Sequence, residues 1–320
     1  MVPTAADMID RRRLRRKLGF WRIAAVLALA LALVAALMPF RAGGGRLGTD
    51  QIARVAIEGM ILEDEKLVEL LDDLREDPAV RGVILKIDSP GGTTVGGETL
   101  YHAVRKLAAA KPVAAEVGTL AASAAYLVAV ATDQIVAKHT SIVGSIGVIF
   151  QYVDASKLLG TVGVDVKSIK SSPLKAEPSP FAPAPEEAKA MVLRVVMNTY
   201  EWFVRLVSER RPLKPEEVRT LADGSVFSGE QGLANKLVDR LGGEDEVRAW
   251  LEGSRNVPKG LEIVDREPED EDEFSLFAGS RAALFGLFGL DPEAKSLPDA
   301  LRREAGNLDG LVSLWQPAAN

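Results

Sequence analysis

Apolar positions divide the chain into stretches with different rhythms. Residues 23–40 form an unbroken uncharged run of 18, mostly Ala, Leu and Val. As a helix this run would be about 27 Å long, near the hydrocarbon thickness of a bilayer. From residue 52 onward, short β-branched runs alternate with longer helical ones. Residues 54–61 predict a strand and 62–75 an acidic amphipathic helix. Residues 82–87 (GVILKI) predict a buried strand, broken by 88–92 (DSPGG). Helical spacing returns over 96–110, and a strand over 113–117 follows Lys111-Pro112. Residues 120–131 are almost wholly apolar and predict a helix buried on all sides. Residues 134–137 and 142–150 predict further strands. Strands alternating with helices imply a parallel-rich α/β core.

The rhythm then changes. Residues 167–185 hold five prolines and several serines, which predicts an ordered loop or extended arm. Residues 186–211 read as a long amphipathic helix with Met191, Val195, Val196, Tyr200 and Trp202 among its apolar positions. Short helices are expected over 215–222, 229–234 and 244–251. Residues 265–273 (DREPEDEDE) contain seven acids and one arginine, which predicts a solvated linker. A metal site there would need a rigidity that such a run does not supply. The apolar patch at 282–290 leaves three readings open: packing on the core, an oligomer contact, or a membrane contact. The main domain shows no internal repeat.

Composition narrows the chemistry. With no cysteine among 320 residues, a disulfide framework, a thiol nucleophile and a Cys-ligated metal are excluded. Only His102 and His139 are present, so a polyhistidine metal site is excluded too. The net charge of −6 argues against a general nucleic-acid binder. That charge is unevenly placed. Residues 1–22 carry seven bases against Asp7 and Asp10, a local +5, which leaves −11 for the rest. A basic flank before the apolar run places the N-terminus in the cytoplasm and everything after residue 41 across the inner membrane. The run is longer than a usual signal-peptide h-region and no A-x-A site ends it, which favours an uncleaved anchor. The G-x-G-x-x-G match at 43–48 follows a membrane segment and no strand, so it reads as a flexible linker. The expected organisation is a basic tail at 1–22, an anchor at 23–40, a Gly-rich linker at 41–51, a main domain at 52–251 and an acidic linker and tail at 252–320.

Three features inside the core suit chemistry. Ser123, in LAASAAY, is a lone hydroxyl framed by small side chains at the expected start of the buried helix. Small neighbours admit a substrate backbone, and the N–H groups of a helix start favour an oxyanion. Taken alone, a helix cap or a serine back-bonded within its helix is the plainer reading of Ser123. Gly91 and Gly92 let main-chain N–H groups face a carbonyl without an intervening Cβ; a tight turn is the plainer reading. Lys175, in SSPLKAEPSPF, is flanked by prolines that would fix its backbone. To serve as a base it must be neutral, which from a reference pKa near 10.4 requires about 4 kcal/mol of destabilisation of the ammonium. Burial without a carboxylate partner would supply it. Ser145, in GSIG, is placed to exchange a hydrogen bond with that amine.

The DSPGG segment, the AAS segment followed by a Tyr, the GSIGV segment and the K-x-x-P-x-P-F segment occur in this order. Together they make the chain resemble the signal peptide peptidase A (protease IV) family in its short, single-repeat form, over residues 52–251. The resemblance implies a ClpP/crotonase-like spiral α/β core and a membrane-bound serine endopeptidase with a Ser–Lys dyad. It implies Ser123 as nucleophile, Lys175 as general base and Ser145 as the residue that orients the lysine. N–H groups of Gly91 or Gly92 and of Ala124 would form the oxyanion hole. It further implies apolar peptides, such as cleaved signal-peptide remnants, as substrates. A homo-oligomeric ring would draw Ser and Lys from adjacent subunits. No cofactor or metal is called for, and no nucleic-acid partner. One departure stands out: the family commonly has Gly-Gly after the serine, and Ala124-Ala125 stand here. Three other readings differ in kind: a Ser–His enzyme using His102 or His139, an inactive membrane-tethered scaffold of the same fold, and a related Ser–Lys protease acting on membrane proteins.

Overall fold

The computed structural model describes residues 49–268, positions 27 and 29, and the backbone strand Val312–Leu314. The expected anchor at 23–40 and the patch at 282–290 lie outside the described residues, apart from Leu27 and Leu29, both helical and exposed. Among the described residues no helix is long and apolar enough to cross a membrane.

The centre of the folded unit is one sheet in which β1 (Gln51–Ile61), β2 (Val80–Thr93) and β3 (Val113–Ala122) run parallel side by side. Period-two alternation distributes their side chains to two cores. Ala53, Val55, Ile57, Val83, Leu85, Ile87, Val113, Ala115 and Val117 face one side. There they meet α1 (Glu65–Glu76), α2 (Thr94–Ala110) and α3 (Ala124–Val130). Ile52, Ile84 and Ala114 face the other side, under Val247, Trp250 and Leu251 of a helix near the end of the unit. Cover on both faces is why these strands read as continuous apolar runs.

β3 changes partner along its length. Ala114–Val117 pairs with β4 (Gln134–Ala137), and Leu120–Ala122 pairs with β5 (Ile142–Gly144). At the fork, Asp88 Oδ2 accepts the Thr119 N–H at 3.3 Å, and Ser141 Oγ donates to the Gly118 carbonyl at 2.6 Å. Side chains thus occupy backbone groups that the divided ladder leaves over. The expected helix over 120–131 is corrected by this pairing: residues 120–122 are strand, and the helix is only Ala124–Val130. Small apolar side chains suit both states, and the β5 backbone decides.

Two further corrections concern strand ends. β2 does not break at residue 88 but continues through Pro90 to Thr93. Its registers with both neighbours shift beside that proline, so the missing N–H falls at an irregularity, where a ladder tolerates it. β5 ends at Gly144 instead of reaching residue 150, because Gly144 (φ 99) and Ser145 (φ 51) turn the chain through the left-handed region.

Beyond β5 the chain leaves the sheet as an arm that includes α4 (Ser156–Thr161) and is tied back on itself by Ala155 N–H to Pro180 O at 2.8 Å. It returns through α5 (Glu186–Arg210), whose C-terminal half buries Phe203, Val204 and Val207. α6 (Pro215–Leu221), β6 (Val226–Ser228), α7 (Gly229–Ala234), β7 (Arg240–Leu241) and α8 (Glu244–Ser254) follow. β8 (Glu262–Asp265) then pairs parallel with β1. The folded unit therefore passes the expected boundary at residue 251. Asp265, expected to open the linker, instead receives the Arg54 guanidinium through two hydrogen bonds of 2.5 and 2.8 Å. β9 (Val312–Leu314) lies antiparallel to Gly91–Thr93.

Candidate active site

Ser123 joins β3 to α3. Its backbone adopts φ 57, ψ −120, and its side chain makes no capping bond to the helix. This is a sharp strand-to-helix turn in a conformation that L-residues seldom occupy. As expected, Ser123 stands at the helix start: it is the N-cap residue, its carbonyl accepts the Leu127 N–H at 2.9 Å, and only its side chain takes no part in capping. The residue is only 1% exposed. Its N–H donates to the Gly144 carbonyl at 2.8 Å, which brings Ser145, next in sequence, to the same place. Ser145 is buried, has φ 51, and donates its N–H to Ser225 O at 2.8 Å.

The two glycines of β2 are needed for different reasons. Gly91 has φ 108, a backbone state open to glycine. Gly92 has an ordinary φ, but a Cβ there would lie 1.8 Å from the Ile61 carbonyl oxygen. β2 reaches the serine turn through β3, Ser89 pairing with Ala121. Ser89 was not anticipated as a functional residue. Its buried hydroxyl accepts the Gly91 N–H at 3.1 Å and so occupies one of the two glycine N–H groups expected as oxyanion donors. A serine two residues before a glycine was the available signal.

Ala124, in place of the family's usual glycine, is fully buried in helical backbone. An added Cβ at Gly97 of α2 would fall 3.0 Å from the Ala124 methyl. Glycine on the facing helix thus accommodates alanine after the serine, and within Ser123-Ala124-Ala125 the positive φ falls on the serine.

Lys175 sits apart from this cluster in the chain's course. It lies exposed on the arm, in a turn where its N–H donates to Ser172 O at 3.2 Å and Ala176 follows at φ 60. The two histidines are exposed as well. His102 on α2 stands 3.9 Å from Glu98 and edge-on to Tyr101, and His139 offers its carbonyl to the Glu230 N–H.

Comparison with known proteins gives the same direction. Residues 105–258 match the model of peptidase family S49. A Methanocaldococcus jannaschii protein named "Putative protease MJ0651" is 38% identical over 70% of this chain and 67% of its own length. An Enterococcus faecium protein named "Putative signal peptide peptidase SppA" is 33% identical over 58% of this chain and 55% of its own. Among solved structures, a mutant of the 1510-N membrane-bound stomatin-specific protease aligns with 70% of this chain and all of its own, at 14% identity and a TM-score of 0.47. On the strength of the sequence relationships, the chain belongs to peptidase family S49, the family of signal peptide peptidase A, and is a serine-type peptidase.

Proposed function

We propose that the chain is a membrane-anchored endopeptidase of ClpP/crotonase-like architecture. Ser123 attacks the peptide carbonyl and Lys175, from a neighbouring subunit, is the general base. The observation that carries this reading is the serine itself: a buried hydroxyl held at φ 57 in a strand-to-helix turn, between the Gly91-Gly92 strand end and the Gly144-Ser145 turn. Strain of this kind persists where surrounding structure enforces it, and it concentrates at reacting positions.

The steps follow from that placement. Neutral Lys175 takes the Ser123 proton as Oγ attacks the carbonyl, and Ser145 steadies the amine. With the Gly91 N–H engaged by Ser89, the Gly92 N–H, together with that of Ala124, receives the oxyanion. The lysine then protonates the leaving amine, and water releases the acyl-enzyme. Substrates are extended apolar peptides, signal-peptide remnants being the fitting class. The antiparallel seating of Val312–Leu314 on Gly91–Thr93 supports the idea that this strand end receives extended backbone. The basic N-terminal segment and the 18-residue apolar run support the anchor, with the peptidase domain on the extracytoplasmic side.

A neighbouring subunit enters because Lys175 is exposed in the single chain, whereas a neutral amine needs cover. The arm supports such cover. It exposes Ile149, Val153, Leu158, Val162, Ile169 and Phe181, which makes an apolar surface suited to a second copy of this chain.

The test is complementation. Ser123→Ala and Lys175→Ala each abolish cleavage of a fluorogenic apolar peptide, while His102→Ala and His139→Ala retain it. Mixing and reassembling the two inactive chains restores about a quarter of wild-type activity, since that fraction of sites pairs an intact serine with an intact lysine across a heterologous ring contact. Activity in either single variant removes the dyad; a mixture that stays silent removes the sharing between subunits.

A further inference from the structure

The arm that carries Lys175 contains an ion pair the peptidase chemistry does not use. Lys170 Nζ lies 2.5 Å from Glu177 Oε1, and Glu177 Oε2 accepts the Ser179 N–H at 2.9 Å. The carboxylate is largely enclosed, its side chain 9% exposed, and the hydrogen bond from Lys170 holds its pKa below the usual carboxylate range. The pair spans seven positions and encloses Lys175 in its loop.

Glu177 is the acid closest to Lys175 in sequence, two positions away. Two residues separate Cα atoms by at most about 7 Å, so an unoccupied Glu177 carboxylate would come within reach of the Lys175 ammonium. Other charged groups of the arm and the segments against it have their own partners or stand in solvent. Lys167 pairs with Asp165 at 3.1 Å, Glu186 with Lys189 at 2.8 Å beside Tyr152, and Asp154 binds Ser156; Lys157 and Glu187 are exposed.

We propose that Lys170 is a positioning residue for the reaction: by occupying Glu177 it withholds the arm's own carboxylate from Lys175, leaving the amine without a counter-ion. A general-base lysine needs that condition, because a carboxylate within about 4–6 Å favours the charged, unreactive form. The clasp also fixes the ends of the turn from which Lys175 projects. This inference rests on Lys175 acting as the base.

The experiment is a set of pH–activity profiles on the full chain, with wild type, Lys170→Met, Lys170→Arg, Glu177→Gln and the double variant Lys170→Met/Glu177→Gln. Lys170→Met moves the acid limb up by about one pH unit, with roughly tenfold lower kcat/KM on that limb and a plateau at high pH near that of wild type. Lys170→Arg keeps the wild-type limb. The double variant returns the limb to its wild-type position, since no carboxylate remains to capture the amine. A loss of activity at every pH with an unmoved limb, or a shift the second substitution does not reverse, overturns the role of Lys170. Should Lys170→Met fail to fold, Lys170→Gln, which removes the charge and keeps a donor to the carboxylate, and Lys170→Gln/Glu177→Gln replace the two Met variants and are read by the same criteria. Activity in Lys175→Ala would instead overturn the base itself, so the two failures are told apart.

Discussion

Replacing Ser123 with glycine should remove the proposed nucleophile and stabilise the protein at the same time. At φ 57, ψ −120 the residue occupies a region in which a Cβ is crowded and glycine is at ease. Holding a non-glycine residue in a sparsely populated region costs about 1–3 kcal/mol. Against that, glycine loses about 0.5–1 kcal/mol more backbone entropy on folding than alanine does. The proper reference is Ser123→Ala, which removes the hydroxyl and its hydrogen bonding but keeps the strained Cβ. The difference between the two variants should then be about 1 kcal/mol in favour of glycine. For a folded unit of roughly 150–250 residues this corresponds to a Tm about 2–4 °C higher. Thermal unfolding of the two inactive variants, by calorimetry or circular dichroism in one buffer, reads the difference directly. If Ser123→Gly melts at or below Ser123→Ala, the turn stores no strain, and the observation that carries the proposed function loses its physical meaning.

Three further outcomes follow from other parts of the molecule. Gly92→Ala drives a methyl into the Ile61 carbonyl and should cost about 3 kcal/mol, with a fall in Tm and lost peptidase activity. Glu116, almost enclosed in β3, has its pKa raised by burial and then by Glu244, so its charged form opposes folding above that raised value. Glu116→Gln should therefore raise Tm at pH 7, and the gain should shrink as pH falls through the raised value and vanish well below the ordinary glutamate range, where folded and unfolded forms are both protonated; an equal gain at both extremes would contradict the assignment. Ile169→Glu places a charge on the fully exposed apolar arm. It should reduce the particle mass seen by light scattering together with activity, while leaving the melting of the single unit within about 0.5 kcal/mol of wild type.

Much of the sheet was readable because its strands are covered on both faces and carry β-branched runs such as VILKI in β2. The misreadings share a cause. Leu120, Ala121 and Ala122 suit helix and strand alike, and a pairing with Ile142–Gly144, some twenty positions later, decides. Pro90 looked like a terminator because a ladder irregularity cannot be seen in a sequence. Residues 262–265 read as part of the acidic tail, although Asp265 carries a charge that pairs with Arg54 at the far end of the domain. The site divides in the same way. Ser123, Gly91 and Gly92 announce themselves through small neighbours, whereas the strained φ of Ser123 is invisible in a residue type that seldom adopts it. Lys175 is marked only by its flanking prolines, and its proposed role rests on the family resemblance, since an exposed lysine on an arm looks like any other. Gly97, which makes room for Ala124, belongs to a helix whose approach no spacing rule foretells.

If Lys175 serves a neighbouring Ser123 as proposed, the oily arm bears on when the enzyme is switched on. A newly made copy, diluted among other proteins, would hold a nucleophile without its proton acceptor and a proton acceptor bathed in water, and so would be harmless to its surroundings. Under the proposed sharing of sites and the proposed anchor, crowding in the plane of a bilayer would complete the pairing and tie proteolysis to local abundance.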